Sequence, residues 1–183
     1  METPAPPSPF LLERLDDVAA AAREGPVIDV ACGAGRHALA LATRGIPVVG
    51  VDRDALRLRE LARRARRESL SLRLVRADLE SAPCLPWGTS RAGALLVFRY
   101  LHRPLCAALA ASLRPGGLLL YETFTVAQRE CGYGPVNPAF LLEPGELPAL
   151  FPTLEVLSFE EGLSPGERPA ALARLCARRP RAC

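Results

Sequence analysis

Hydrophobic and polar positions change period several times along the chain, and each change marks an element. "FLLERLDDVAAAARE", from Phe10, sets Leu11, Leu12, Leu15, Val18 and Ala19 on one helical face, and Gly25-Pro26 stops it. "VIDVA" is a short apolar strand interrupted only by Asp29. A glycine turn leads into "RHALALATR", a helix that Gly45 closes at C′. "IPVVGV" is a second strand ending at Asp52, and "DALRLRELARRARRE" a helix with Asp54 as N-cap. "LSLRLVRA" alternates as a third strand and runs into Asp78. "AGALLVF", "PLCAALAASL" and "LLLYETF" then predict strand, helix and strand, with "RPGG" as the turn before the last. "TVAQRECGYGPVNPAF" is irregular, and "PGELPALF" is a short helix with Pro144 at N1. "LEVLSFEEG" and "AALARLCARR" form two closing strands around "LSPGERP"; the second has helical propensity and is read as a strand because a seventh, antiparallel strand completes the sheet.

Strands alternating with helices predict an α/β protein: one Rossmann-like, seven-stranded, mostly parallel sheet with helices on both faces and an antiparallel last strand. The proline-rich residues 1–9 are expected to be a flexible N-terminal segment, and residues 10–183 a single domain. Such sheets bind ligands at the carboxyl ends of their strands, beside the switch point after strand one.

Composition changes this picture little. The chain is 49% hydrophobic and 23% charged, with a net charge of +3 that is too small to argue for nucleic acid. Every basic residue is Arg, which reads as a coding bias; the run Arg57, Arg59, Arg63, Arg64, Arg66 and Arg67 reads as a solvated helix face. The N-terminus has neither the basic start nor the apolar run of a signal peptide, and no apolar stretch is long enough to span a bilayer. A cytoplasmic protein without membrane or nucleic-acid partners is expected; oligomeric state leaves no mark in the sequence. The six cysteines are scattered and the two histidines isolated, so no metal site is expected.

The chemistry concentrates at "GAGRHA", Gly33 to Ala38, which matches the dinucleotide fingerprint G-x-G-x-x-G/A. Two carboxylates beside it point elsewhere. Asp29, inside the first strand, would face a pyrophosphate at close range, but it suits a ligand carrying an ammonium group. Asp78 follows strand three, where a carboxylate can accept the exocyclic amine of adenine. Asp52, at the end of strand two, can hold ribose hydroxyls under either reading. The bland alternatives are that Asp29 bonds the turn's own amides and that Asp78 starts a loop.

"DVACGAGRH", "GVDRD", "RADLE" and "LRPGGLLL" together resemble the motifs of class I S-adenosylmethionine-dependent methyltransferases, from Val27 to Phe124. Ala31 stands where the family pattern has its first glycine. The resemblance implies S-adenosylmethionine as cofactor. It implies that Asp29, Gly33 and Gly35 hold the methionine portion, Asp52 the ribose, and Asp78 with Leu79 the adenine. Ala31 and Arg53 join the same contact set, and Phe98 flanks the sulfonium. "NPAFLLEPGELPALF" is similar to the tellurite-resistance-type group of small-molecule methyltransferases. That group carries a His-Arg pair before the last strand; here Arg168 stands without a His.

The implied reaction is methyl transfer to a small-molecule acceptor, an anion or a soft nucleophile, with the protein contributing proximity and orientation. Arg99, Tyr100 and His102 follow strand four and are the acceptor-side candidates, Arg99 suiting an anion or else pairing with Glu122. His37 reads as packed or solvated, and Trp87 as a lid or core filling. The alternatives are a small NAD(P)-dependent oxidoreductase, which lacks a Tyr-x-x-x-Lys donor set because Lys is absent, and a cofactor-binding module without catalysis.

Overall fold

The computed structural model describes residues 5–81, 85–165 and 168–181. The expected loop around Pro83 and the tip of the final hairpin lie partly outside these, as do residues 1–4 of the N-terminal segment. Seven strands form one sheet in the order β3-β2-β1-β4-β5-β7-β6. They are β1 (Val27–Val30), β2 (Val48–Asp52), β3 (Leu72–Arg76), β4 (Ala92–Phe98), β5 (Leu113–Phe124), β6 (Glu155–Leu163) and β7 (Ala171–Arg178). The pairings from β3 to β5 are parallel, and β7 runs antiparallel to both β5 and β6. The predicted fold is the observed one.

The strand period of two sorts side chains onto two faces. Leu95 and Val97 of β4 and Leu119 and Tyr121 of β5 enter one core cluster. Ala94, Leu96, Phe98, Leu118 and Leu120 enter the other. Helix α5 (Cys106–Ser112) and α6 (Glu146–Ala149) cover the first face. The second is covered by α1 (Pro9–Glu13), α2 (Leu15–Ala21) and α3 (Arg36–Ala42). The amphipathic α4 (Ala55–Arg67) buries Leu58 and Leu61 against Cys32 and Leu39. Its capping is as predicted: Asp54 accepts from the N–H groups of Leu56 and Arg57.

Three local expectations change. The first predicted helix is broken at Arg14, whose φ of −111° and ψ of 14° end α1 before α2 begins. Pro144 is not the first residue of α6; Gly145 caps that helix with φ 71°. Ser8 belongs to no flexible tail, being 3% exposed and bonded to the core through both its N–H and its hydroxyl. Among the described residues no helix is long and apolar enough to cross a membrane.

Candidate functional site

Parallel β1, β2 and β4 end side by side, and their carboxyl ends open into two adjoining cavities. A smaller one of about 340 Å³ is lined by residues that include Ala31, Gly33, Asp52, Arg53, Asp78, Leu79, Arg99 and Tyr100. A larger one of about 940 Å³ is lined by Asp29, Arg36, His37, Phe98, Phe124, Tyr133 and Arg168, among others. Ala31, Gly33, Arg57 and Arg99 line both, so the two are lobes of one cleft.

The turn after β1 is tight because Ala31, Gly33 and Gly35 all adopt positive φ (53°, 55° and 76°). A side chain at Gly33 would point toward the Arg57 guanidinium across the cleft, 3.5 Å away. Gly35 differs: it lines neither lobe, and a Cβ there would run into Leu61 of α4 at 2.4 Å. Its glycine is required by helix packing rather than by a ligand.

Asp29 is 1% exposed, and its Oδ2 accepts the Ala38 N–H at 3.0 Å. Burial pushes its pKa up to about 7, against the lowering effect of that hydrogen bond and of Arg36. The bland reading of Asp29 as a cap of the turn is thus partly realised, and Oδ1 keeps no partner among the described residues. Asp52 accepts from Gly33 N–H (2.7 Å) and Asp54 N–H (2.8 Å), one bond to each oxygen, leaving a lone pair on each. Asp78 is exposed and accepts from Glu80 N–H at 3.0 Å.

The three acceptor-side candidates separate. Arg99 takes a left-handed φ of 59° as β4 ends, and its side chain reaches both lobes. Its guanidinium lies 4.4 Å over the Phe124 ring and 3.6 Å from the Glu122 carboxylate, realising the predicted pairing. Burial lowers its pKa, against the raising effect of Glu122. The reversal at Arg99 turns Tyr100 into the smaller lobe, where burial raises its hydroxyl pKa. His102 lines neither lobe and precedes the single turn Arg103–Leu105. Trp87 packs against the core and lines neither lobe.

Sequence reasoning missed half of the larger lobe. Arg36, His37, Phe124 and Arg168 line it, together with Ala5 and Pro6 of the N-terminal segment. Position was the available signal for His37: two residues beyond Gly35, it must sit on the first turn of α3, facing the end of β4. Its ring packs on Phe98 at 4.0 Å between centroids. Glu122 behind this wall is 1% exposed and bonds Arg174 and the Ser8 hydroxyl, both at 2.9 Å. Tyr133 donates to the carbonyls of Arg168 and Pro169 and carries the Arg168 guanidinium over its ring at 4.2 Å. Among the described residues no group of three or more His, Cys, Asp or Glu could hold a metal ion.

A family profile described as a methyltransferase domain matches residues 27–117, the stretch from β1 into β5. No curated protein sequence matches the chain. Solved structures do. A S-adenosylmethionine-dependent methyltransferase from Methanosarcina mazei superposes with a TM-score of 0.75 at 16% identity, covering 97% of this chain and 100% of that one. A structure concerned with the conversion of a disulfide bond into a thioacetal group during echinomycin biosynthesis gives 0.75 at 19%, covering 96% and 82%. TehB from Haemophilus influenzae gives 0.71 at 18%, covering 90% of this chain and 62% of that one. Residues 27–117 thus match a methyltransferase domain, and the whole chain has the fold of the S-adenosylmethionine-dependent methyltransferases it resembles.

Proposed function

We propose that this protein transfers a methyl group from S-adenosylmethionine, held across the smaller lobe with its amino-acid end reaching Asp29 in the larger, to a small-molecule acceptor in the remainder of the larger lobe. The observation that supports it is the shared wall: Ala31, Gly33, Arg57 and Arg99 line both lobes, so ligands in the two would meet there. The residues present fit the cofactor. Asp29 keeps an oxygen unpartnered among the described residues for an ammonium group; Gly33 leaves the space beside Arg57 free where the lobes meet. Asp52 retains lone pairs for ribose hydroxyls, and Asp78 with Leu79 lines the place for adenine. Arg53 and Ala31 complete that wall, and Phe98 closes the larger lobe beside it.

When bound, the cofactor supplies a methyl group already activated on a sulfonium. The chain's own residues bind, orient and keep water out. Among the described residues, no side chain of the larger lobe is poised to take a proton. His37 is held neutral, its pKa pushed down to about 3 chiefly by burial, and its Nε2 is already occupied by the Ser8 N–H. The Tyr133 hydroxyl is engaged with backbone carbonyls. Asp29 belongs to the cofactor's ammonium. An acceptor must therefore arrive as a competent nucleophile, an anion or a soft atom. Among the described residues, four arginines line the lobe against one carboxylate, which favours the anion.

The test is calorimetry with S-adenosylhomocysteine and NAD. The first should bind, and Asp52→Ala should weaken it by at least about tenfold, through lost charge-assisted hydrogen bonds. Tight binding of NAD with no response to S-adenosylhomocysteine would overturn the assignment. Methyl transfer from labelled cofactor into pooled small acids and thiols then identifies the acceptor.

A further inference from the structure

His37 carries a feature that packing alone does not use. The ring is 3% exposed, rests on Phe98 and lines the larger lobe. Its Nε2 lies 3.3 Å from the Ser8 peptide nitrogen, whose N–H it accepts. A neutral imidazole with one nitrogen accepting carries its proton on the other, so this bond sets the tautomer with hydrogen on Nδ1. Nδ1 has no partner among the described residues. Among the described residues, the side-chain polar atoms sealed away without a partner are Trp87 Nε1, Tyr100 Oη and Glu122 Oε1; Nδ1 is not one of them. The opening it keeps is the one the ring has, toward the lobe.

The surroundings specify what such a donor would meet. From α3 itself comes Arg36, whose guanidinium bonds the Pro6 carbonyl at 3.2 Å. From the end of β4 comes Arg99. Glu122 of β5 is reached only through the Ser8 hydroxyl and is neutralised by Arg174. Asp29 of β1 is turned toward Ala38. Both arginines and burial hold the ring uncharged. The open group is thus a fixed neutral N–H donor in a lobe that also holds the arginines Arg36 and Arg99, with Phe98, Phe124 and Tyr133 forming apolar walls. That combination matches a carboxylate on a small apolar body.

We infer that His37 is an acceptor-positioning residue: its Nδ1–H donates to a carboxylate of the methyl acceptor, and the Ser8 peptide N–H fixes the tautomer that makes this possible. The inference rests on the larger lobe being the acceptor's. It gives the N-terminal segment a role in specificity, since residues 5–8 hold the ring in its donating form. A general base at His37 is incompatible with it, because the nitrogen that faces the lobe already bears the proton.

The chain has only two histidines, His37 and His102, so imidazole nitrogens can be observed singly after histidine labelling with nitrogen-15. His102→Gln assigns the signals. In the S-adenosylhomocysteine complex, His37 should show a protonated Nδ1 and an unprotonated Nε2 from about pH 5 to 8. Benzoate, used as the carboxylate probe, should shift Nδ1 of His37 and leave His102 unmoved. His37→Gln puts an acceptor near the Nε2 position, so it keeps the Ser8 bond and loses the inward donor. It should weaken benzoate by about tenfold or more and leave S-adenosylhomocysteine affinity within about twofold. His37→Asn, with an amide near the Nδ1 position, should retain benzoate binding. The inference is overturned by hydrogen on Nε2, by titration of His37 near its ordinary pH, or by benzoate binding that His37→Gln leaves unchanged. It is equally overturned if the loaded wild-type protein fails to bind benzoate. Failure to bind S-adenosylhomocysteine at all would instead sink the proposed function, and this inference with it.

Discussion

The two lobes of the cleft are built by opposite means. The smaller is lined by four carboxylates (Asp52, Asp54, Asp78 and Glu80) and three arginines, on strand ends and the turns directly after them. The larger has four arginines and one carboxylate, with aromatic walls, and draws on the N-terminal segment, the first turn of α3, the region after β5 and the final hairpin. A lobe with mixed polar groups close to the surface suits a ligand rich in hydroxyl and amine groups. A lobe with cations and rings suits an anion with an apolar body. The difference teaches that the proposed cofactor side is a property of the sheet, while the acceptor side is a property of whatever the chain folds back over it.

The comparison breaks most visibly in stability. Arg174 and Glu122 brace the back wall of the larger lobe, with Glu122 1% exposed and Arg174 23%. Arg174→Ala would leave that carboxylate with the Ser8 hydroxyl and Arg99 at 3.6 Å. Loss of a buried pair's partner costs about 3–5 kcal/mol; the partial exposure of Arg174 and the nearby Arg99 reduce this to about 2–3 kcal/mol. A chain of this size should then melt about 5–10 °C lower. Asp78→Ala, at the exposed rim of the smaller lobe, should move the melting point by less than about 2 °C. Equal losses in the two variants would show that both lobes are equally structural.

The same difference explains what the sequence disclosed. Asp29 lies one residue before the end of its strand, Asp52 closes one and Asp78 follows one, and a parallel sheet brings strand ends together by its topology alone. Local patterning was therefore enough to place them, and enough for six of the seven strands and their partners in α3 and α4. The seventh, β7, had helical propensity and was assigned from the need to complete the sheet. His37, Arg36 and Arg168 could not be placed so. Each is held at the larger lobe by a long-range contact: Arg36 with Pro6, His37 with Ser8 and Arg168 with Tyr133. No periodicity encodes those pairings. Tyr100 and His102 part from Arg99 for a related reason: the left-handed φ at Arg99, unusual for a non-glycine residue, redirects the chain just after β4, so that Tyr100 lines the smaller lobe and His102 neither.

Acid stability sharpens the contrast within the larger lobe, because its two titratable walls pull in opposite directions. Asp29 has a pKa raised from 3.8 to about 7, so the native state binds more protons than the unfolded chain across that window. Its contribution falls as pH rises from about 4 to 7. His37 has a pKa lowered from 6.5 to about 3, so the native state binds fewer protons, and its contribution falls as pH drops below about 6.5. The two slopes oppose each other where they overlap. Asp29→Asn should leave the His37 slope alone and steepen the loss of stability on acidification. His37→Phe, which keeps a ring against Phe98, should leave the Asp29 slope and make the protein gain stability on acidification. Melting curves from about pH 4 to 7 should move each variant by about 3 kcal/mol at the acid end, in opposite directions. Curves parallel to the wild type in both variants would refute the opposed titrations.

Cofactor affinity provides the finest division. An ammonium-bearing ligand prefers Asp29 ionised, and a carboxyl with a pKa of about 7 in the free protein must lose its proton before it can serve. Affinity for S-adenosylhomocysteine should therefore be constant above about pH 8. It should fall by about tenfold from there to pH 6, because protonated Asp29 offers no charge to the amine. Asp52 accepts two backbone N–H groups and sits in the lobe where hydroxyls, not an amine, are expected. Asp52→Ala should then weaken binding by a similar factor at every pH and keep the wild-type slope. Asp29→Asn should remove the slope and hold affinity at a uniformly low level. Calorimetry of the three proteins at three pH values distinguishes a carboxylate that reads charge from one that reads geometry. A flat wild-type profile would place the ammonium away from Asp29, and with it the boundary between the two lobes.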